Sequence, residues 1–231
     1  MSTPIALRHG RVTLALHLLR PGEGRALLLL HALNGSASDW QGGADGIAGA
    51  WPGPVYALDF SGHGGSDWVA GGGYTPELLA GDADVALARV GAACIVGAGI
   101  GAWAALLLAG ARPDDVPGAL LLPGRGLSGG GALPDPASTV PVEWMHVSDA
   151  RLAQPGRVAN DGTSDPLLFQ LERDLRPVDY AEAFAARARR LVLVADASPP
   201  PAWWEAVAQS KSAQRIGPGE VAEALETLAA D

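Results

Sequence analysis

The side chains able to do acid–base or nucleophilic chemistry are few and scattered. The chain holds 5 histidines, and none follows His146. The stretch Trp144-Met-His-Val-Ser-Asp149 brings an imidazole, a hydroxyl, a carboxylate and an aromatic ring close together in sequence. Such groups work as a unit only when they converge in space, so a solvated or structural His146 is the plain reading. Facing a pocket, His146 would instead hydrogen-bond a ligand or serve as a lone general base. Cys94, the single cysteine, can form no intramolecular disulfide; it lies inside an apolar run, where a thiol packs as a small apolar side chain. The tandem Trp203-Trp204 reads as an anchor for a short helix, the alternative being an exposed patch for a partner. No metal site and no cofactor is expected.

Elements must position these groups. Apolar runs rich in Val, Ile and Leu recur at Arg11 to Leu19, Ala26 to Leu30, Val55 to Phe60, Ala93 to Val96, Ala119 to Leu122 and Leu191 to Ala195, and each reads as a strand. Runs without alternation, such as Ala26-Leu-Leu-Leu-Leu30, indicate strands buried on both faces of a parallel sheet. Between them lie helical stretches: Pro76 to Val90 with Thr75 as N-cap, Ile100 to Ala111 stopped by Pro113, and Glu220 to Ala230. Strand and helix alternate, which predicts an α/β class with a mostly parallel central sheet and helices on both faces. Ile5 to Leu19, followed by Pro21-Gly-Glu-Gly24, reads as an antiparallel hairpin leading into it. From Gly124 to about Ser164 the chain turns rich in Gly, Pro, Ser and Asp, predicting a short, irregular cap or, alternatively, a disordered insertion.

Composition narrows the function classes. The chain is 48% hydrophobic over 231 residues, enough for a sizeable core, and a single domain over 1–231 is expected. Lys+Arg 16 against Asp+Glu 25 leaves a net charge of −9, which repels a polyanion, so nucleic acid is not an expected partner. Met1 to Gly10 lacks the apolar core of a secretion signal, and apolar runs such as Ala102 to Ala109 are too short to span a bilayer. A cytoplasmic protein without a membrane partner is expected.

Five segments in order carry a resemblance. Leu28-Leu-Leu-His-Ala-Leu-Asn-Gly-Ser-Ala-Ser-Asp-Trp40 resembles the strand and loop that carry the oxyanion hole of α/β-hydrolases, with His31-Ala32 where His-Gly usually stands. Tyr56 to Trp68 resembles the next strand with its Gly-His-Gly-x-Ser turn, and Cys94 to Ala109 resembles strand, nucleophile elbow and helix. Leu191 to Pro199 and Pro218 to Leu225 are similar to the late strand and the last helix. The resemblance implies the α/β-hydrolase fold and, at Gly-x-Ser-x-Gly, a nucleophile on a strained turn. Here that motif is Gly97-Ala98-Gly99-Ile100-Gly101: the flanking glycines stand, and Gly99 replaces the serine. The catalytic acid position falls on Ser198, with Asp196 two residues before it. The histidine loop before the last helix contains no histidine; an ungapped matching puts Lys211 near that position.

All three triad positions are thus altered, and loss of a triad costs on the order of 10⁶ in turnover. What the resemblance leaves is a site of backbone donors: the N–H groups at the start of the helix at Ile100, and that of Leu33 from the other side. The expected ligand-contacting set is His31, Leu33, Asn34, Gly99, Ile100 and His146. His31 and His63 have bracing the loops as their plain role. Three functions stay open. The first is a catalytically degenerate protein that binds a small carbonyl- or carboxylate-bearing ligand or a protein partner; the N-myc downstream-regulated proteins resemble this chain in having an elbow without a nucleophile. The second is a hydrolase or lyase of a small ester or lactone, using His146 or a bound water. The third is a structural or interaction protein with a collapsed pocket, which predicts bulky side chains above Gly99.

Overall fold

A computed structural model describes residues 3–41, 46–127, 164–172, 174–195 and 199–230. Eight strands form one sheet: β1 (Ile5–His9), β2 (Val12–Arg20), β3 (Ala26–Leu30), β4 (Val55–Asp59), β5 (Ala93–Ala98), β6 (Ala119–Leu122), β7 (Leu191–Val194) and β8 (Ala213–Ile216), in the order β1-β2-β4-β3-β5-β6-β7-β8. The β1–β2 hairpin is antiparallel and β2 joins β4 antiparallel; every pairing from β4 to β8 is parallel. The strands lie within a residue or two of their expected places, because continuous apolar runs have no stable alternative to burial on both faces.

β3 shows how the two faces divide. Leu28 and Leu30 enter one core with Ile95, Leu79, Leu106 and Trp203, and Leu27 and Leu29 enter the other with Val96, Leu225 and Leu228. Alternate side chains of one strand therefore feed two cores, as the period of two requires. The first core is covered by α2 (Pro76–Val90), α3 (Ile100–Ala111), α4 (Val178–Ala185) and α5 (Ala202–Ala208); the second by α1 (Ile47–Ala50) and α6 (Val221–Ala230). Thr75 caps α2, its hydroxyl accepting from the Leu78 amide at 3.1 Å. α3 is buried along nearly its whole length, which explains a sequence apolar all round. α4 was not legible as a helix in the sequence. Among the described residues no helix is long and apolar enough to cross a membrane.

Of the segment expected as a cap, residues 128–163 lie outside the described part. Its first four residues, Gly124 to Leu127, do not rise away as a cap: they lie across the C-terminal ends of the central strands.

Candidate functional site

β5 turns into α3 through Gly99, whose φ of 56° and ψ of −118° suit glycine and strain other residues. Strand and helix pass so closely that a Cβ on Gly97 would stand 2.8 Å from the Ala102 nitrogen, and one on Gly101 2.7 Å from the His31 carbonyl oxygen. The turn is a strand-to-helix elbow, and position 99 ends at its Cα.

Two backbone donors converge above it. The amides of Leu33, in the loop after β3, and Ile100, in the first turn of α3, both donate to the carbonyl oxygen of Arg125, at 3.1 and 3.0 Å. Those distances are what an oxyanion hole offers a bound oxygen, with the positive end of α3 behind it. The occupant is the chain itself. A Cβ on Gly99 would fall on the Arg125 carbonyl oxygen and lie 2.8 Å from the carbonyl carbons of Gly124 and Arg125. The space above Gly99 is therefore filled, though by main chain and not by the bulky side chains that a collapsed pocket led us to expect. Gly126, at φ 75°, lets the strap lie this close: a Cβ there would stand 3.0 Å from both Leu33 Cβ and Ile100 Cβ.

The remaining carbonyls of the strap are also held. The Gly124 oxygen accepts from the Leu127 amide at 3.3 Å, the Gly126 oxygen from Arg176 Nη2 at 3.4 Å, and the Leu127 oxygen from Trp203 Nε1 at 2.9 Å. Arg176 also donates to the Leu171 and Asp174 oxygens, and its guanidinium lies 5.8 Å from the centroid of the Trp103 ring. Burial pulls Arg176 down to about 10, against the pull of Asp174, Glu77 and Glu172. Trp203 packs edge-on against Trp103 at 5.0 Å. Both tandem tryptophans are buried, so they anchor α5 and form no exposed patch.

On the other side, buried side chains brace the loop that carries Leu33. His31 is fully buried; its Nδ1 meets the Ala32 oxygen at 2.7 Å and its Nε2 the Phe60 amide at 3.2 Å. A carbonyl can only accept and an amide only donate, so the proton is on Nδ1 and the ring is neutral. His63 is placed likewise, between the Ser61 oxygen at 3.1 Å and the Asn34 amide at 3.2 Å. Burial lowers both imidazoles, His63 to about 3. Asp59, at the end of β4, accepts from the Ala37 amide at 2.6 Å, the Gly65 amide at 2.8 Å and His17 Nε2 at 2.9 Å. Burial acts to raise its carboxyl, but the bonds from His17, Ala37 and Gly65 outweigh that and hold it low. Asp82 links His9, at 2.6 Å, to the Ser61 amide, at 2.8 Å. The hydrogen bond to Asp82 raises His9.

Of the residues expected to contact a ligand, the structure gathers Leu33, Gly99 and Ile100 about one oxygen. His31 uses both ring nitrogens on backbone, and the Asn34 amide is engaged by His63. His146, Asp196 and Ser198 lie outside the described residues. Lys211 is exposed and precedes β8, whereas the elbow follows β5; in a parallel sheet those are opposite ends. β8 passes into α6 through Gly217 to Glu220 alone. Arg125, Gly126 and Arg176 were missed by the sequence reading; the glycines at 124 and 126 were its only trace of them. Among the described residues no group of three or more His, Cys, Asp or Glu side chains could hold a metal ion.

No family model matches the chain, and no curated protein matches it by sequence. Solved structures do. An esterase from Rhodococcus sp. ECU1013 is 18% identical, with 100% of this chain and 99% of that one covered and a TM-score of 0.67. An enzyme that degrades N-acyl homoserine lactones is 20% identical, with 96% and 99% covered and a TM-score of 0.67. A bottromycin epimerase in complex with bottromycin A2 is 18% identical, with 99% and 98% covered and a TM-score of 0.63. The strand order, the elbow and these likenesses together show the α/β-hydrolase fold.

Proposed function

We propose that this chain is a catalytically degenerate protein on the α/β-hydrolase fold, one that binds a small carbonyl- or carboxylate-bearing ligand or a protein partner and performs no serine-hydrolase chemistry. The observation that carries this reading is at Gly99. No side-chain oxygen stands there, and the place it would take is occupied by the Arg125 carbonyl, bonded by the Leu33 and Ile100 amides. Nucleophilic catalysis needs an activated nucleophile beside a general base, and both described histidines near the elbow are neutral braces with no nitrogen to spare. Of the two ligand groups, the neutral carbonyl is favoured, because what the hole holds is a neutral amide oxygen on two N–H donors. The proposal includes one domain over 1–231 and a cytoplasmic location.

The test is a fluorophosphonate probe together with ester and lactone turnover by the purified protein. The expected result is no labelled serine and no turnover above buffer. Stoichiometric labelling would overturn the reading. Turnover of an ester or lactone that is lost in His146→Ala would replace it with the lid-histidine enzyme; the fold is shared with an esterase and a lactone-degrading enzyme, and that supports the fold alone. The filled hole also favours a second reading, a structural or interaction protein with no ligand at the elbow. Thermal-shift screening against small esters, lactones and carboxylic acids separates the two: stabilisation by any class favours binding, and none favours the structural role.

A further inference from the structure

The strap has more partners than a connecting loop needs. Three consecutive carbonyls, of Arg125, Gly126 and Leu127, each receive a donor from a different part of the molecule: the elbow and β3 loop, Arg176, and Trp203. The first of these places a peptide carbonyl where a bound acyl group would put its oxygen. The other two act from outside. Arg176 is 5% exposed, makes its hydrogen bonds to the carbonyl oxygens of Gly126, Leu171 and Asp174, and leaves Nε without a hydrogen bond. A buried cation hydrogen-bonded to carbonyls, with no carboxylate at ion-pair distance among the described residues, costs more than an apolar side chain of the same shape, so its placement has to be repaid by what it holds.

We propose that residues 124–127 are an intramolecular occupant of the carbonyl hole, latched by Arg176 and Trp203, so that an outside amide or ester carbonyl reaches the Leu33 and Ile100 donors only when the strap lifts. The hole is built and working; it is closed by a self-ligand. The apparent affinity for any ligand of this class is then the intrinsic affinity reduced by the fraction of molecules with the strap open, and contacts that loosen the latch raise it. Arg176 and Trp203 are positioning residues in this scheme: each acts on the hole only through the strap. The inference rests on the reading of the elbow as a ligand site without hydrolysis, but it stands or falls on a different measurement.

Amide hydrogen exchange of the full-length protein reads the strap directly, since the Leu33 and Ile100 amides both donate to the Arg125 carbonyl. Two latch variants are compared with the parent protein: Arg176→Met, which keeps the apolar stem against Trp103 and removes every donor, and Trp203→Phe, which keeps a ring and removes the N–H. The expected result is protection of both amides in the parent protein. Exchange at Leu33 and Ile100 should then be at least tenfold faster in each variant that folds, with Ile95 and Val96 in β5 unchanged. Gly99→Ala is the positive control, because its Cβ collides with the strap and evicts it. Free exchange of Leu33 and Ile100 in the parent protein overturns the proposal. So does a latch variant that leaves them protected, or one that speeds β5 by the same factor, since that is general loosening. Fluorophosphonate labelling of the same samples reports on the non-hydrolytic reading, so the two can fail separately.

Discussion

The two sides of the elbow are held by opposite means. On the β3 side, buried side chains fix backbone: His31, His63, Asp59 and Asp82 each take amides or carbonyls of the loops at 32–37 and 60–65. On the β6 side, a glycine-flanked strap is fixed by donors on its carbonyls. The brace fixes the loop so that Leu33 N–H points at the Arg125 carbonyl, 3.1 Å away. The strap is the partner that meets it from the opposite side. One side of the site keeps its donors in working geometry, while the other supplies an oxygen to them. The lesson is that a bare Cα at position 99 and the seating of the strap are one structural fact: with a side chain at position 99 the strap could not lie there.

The comparison can be broken at several points. Asp59→Ala should cost the most, about 3–5 kcal/mol, since it strands the buried Ala37 amide, the Gly65 amide and His17 at once. Urea unfolding that shows less than about 1 kcal/mol would mean the brace is not what holds the loop. Gly99→Ala attacks the other side: backbone strain of about 1–3 kcal/mol adds to the displacement of the strap, for roughly 3 kcal/mol in the same assay. A neutral or stabilising Gly99→Ala would mean that the strap does not occupy the hole.

Acid separates the sides further. His63 is neutral in the fold with its pKa pushed down to about 3, while the unfolded chain takes a proton near 6.5, so the unfolded state binds more protons between those values. Stability should therefore fall as pH drops below 6.5, by roughly 2 kcal/mol at pH 5 from this group alone. His63→Gln should flatten that slope, and an unchanged slope would remove His63 from the account. His9 has the opposite sign. Its pKa is raised by Asp82, so its contribution is complete below the unfolded value and is lost as pH rises through the raised folded one. The stability gap between the parent protein and His9→Gln should narrow on going alkaline; a gap that widens would contradict the pairing. This is the smallest effect, because His9 is only part-buried and its ion pair is screened by solvent.

Much of the scaffold could be read before any coordinates. The all-apolar runs at Ala26–Leu30 and Leu191–Val194 require burial on both faces, and Thr75, whose hydroxyl suits an N-cap, stands just before α2. α4 escaped because Val178–Ala185 is short and half-exposed, and a helix of eight residues depends on packing for its stability. At the site, Leu33, Gly99 and Ile100 were legible because local backbone geometry places them: an elbow with close-packed glycines points the next amide at the end of the strands. The bracing role of His31 was legible but its partners were not, since Ala32 and Phe60 lie on different segments.

What the sequence determined alone is the order of the apolar strands and of the helices α2, α3 and α6, the elbow turn and the missing side chain at position 99, all consequences of local periodicity and of where glycine stands. What only the tertiary structure decided is what fills the space that side chain would take. The strap reaches the elbow across the ends of β5 and β6, and it is held by residues 176 and 203, more than forty positions away in sequence. Hydrogen bonds between such distant segments depend on how the sheet and its helices bring backbones together, and no local pattern of residues encodes that distance.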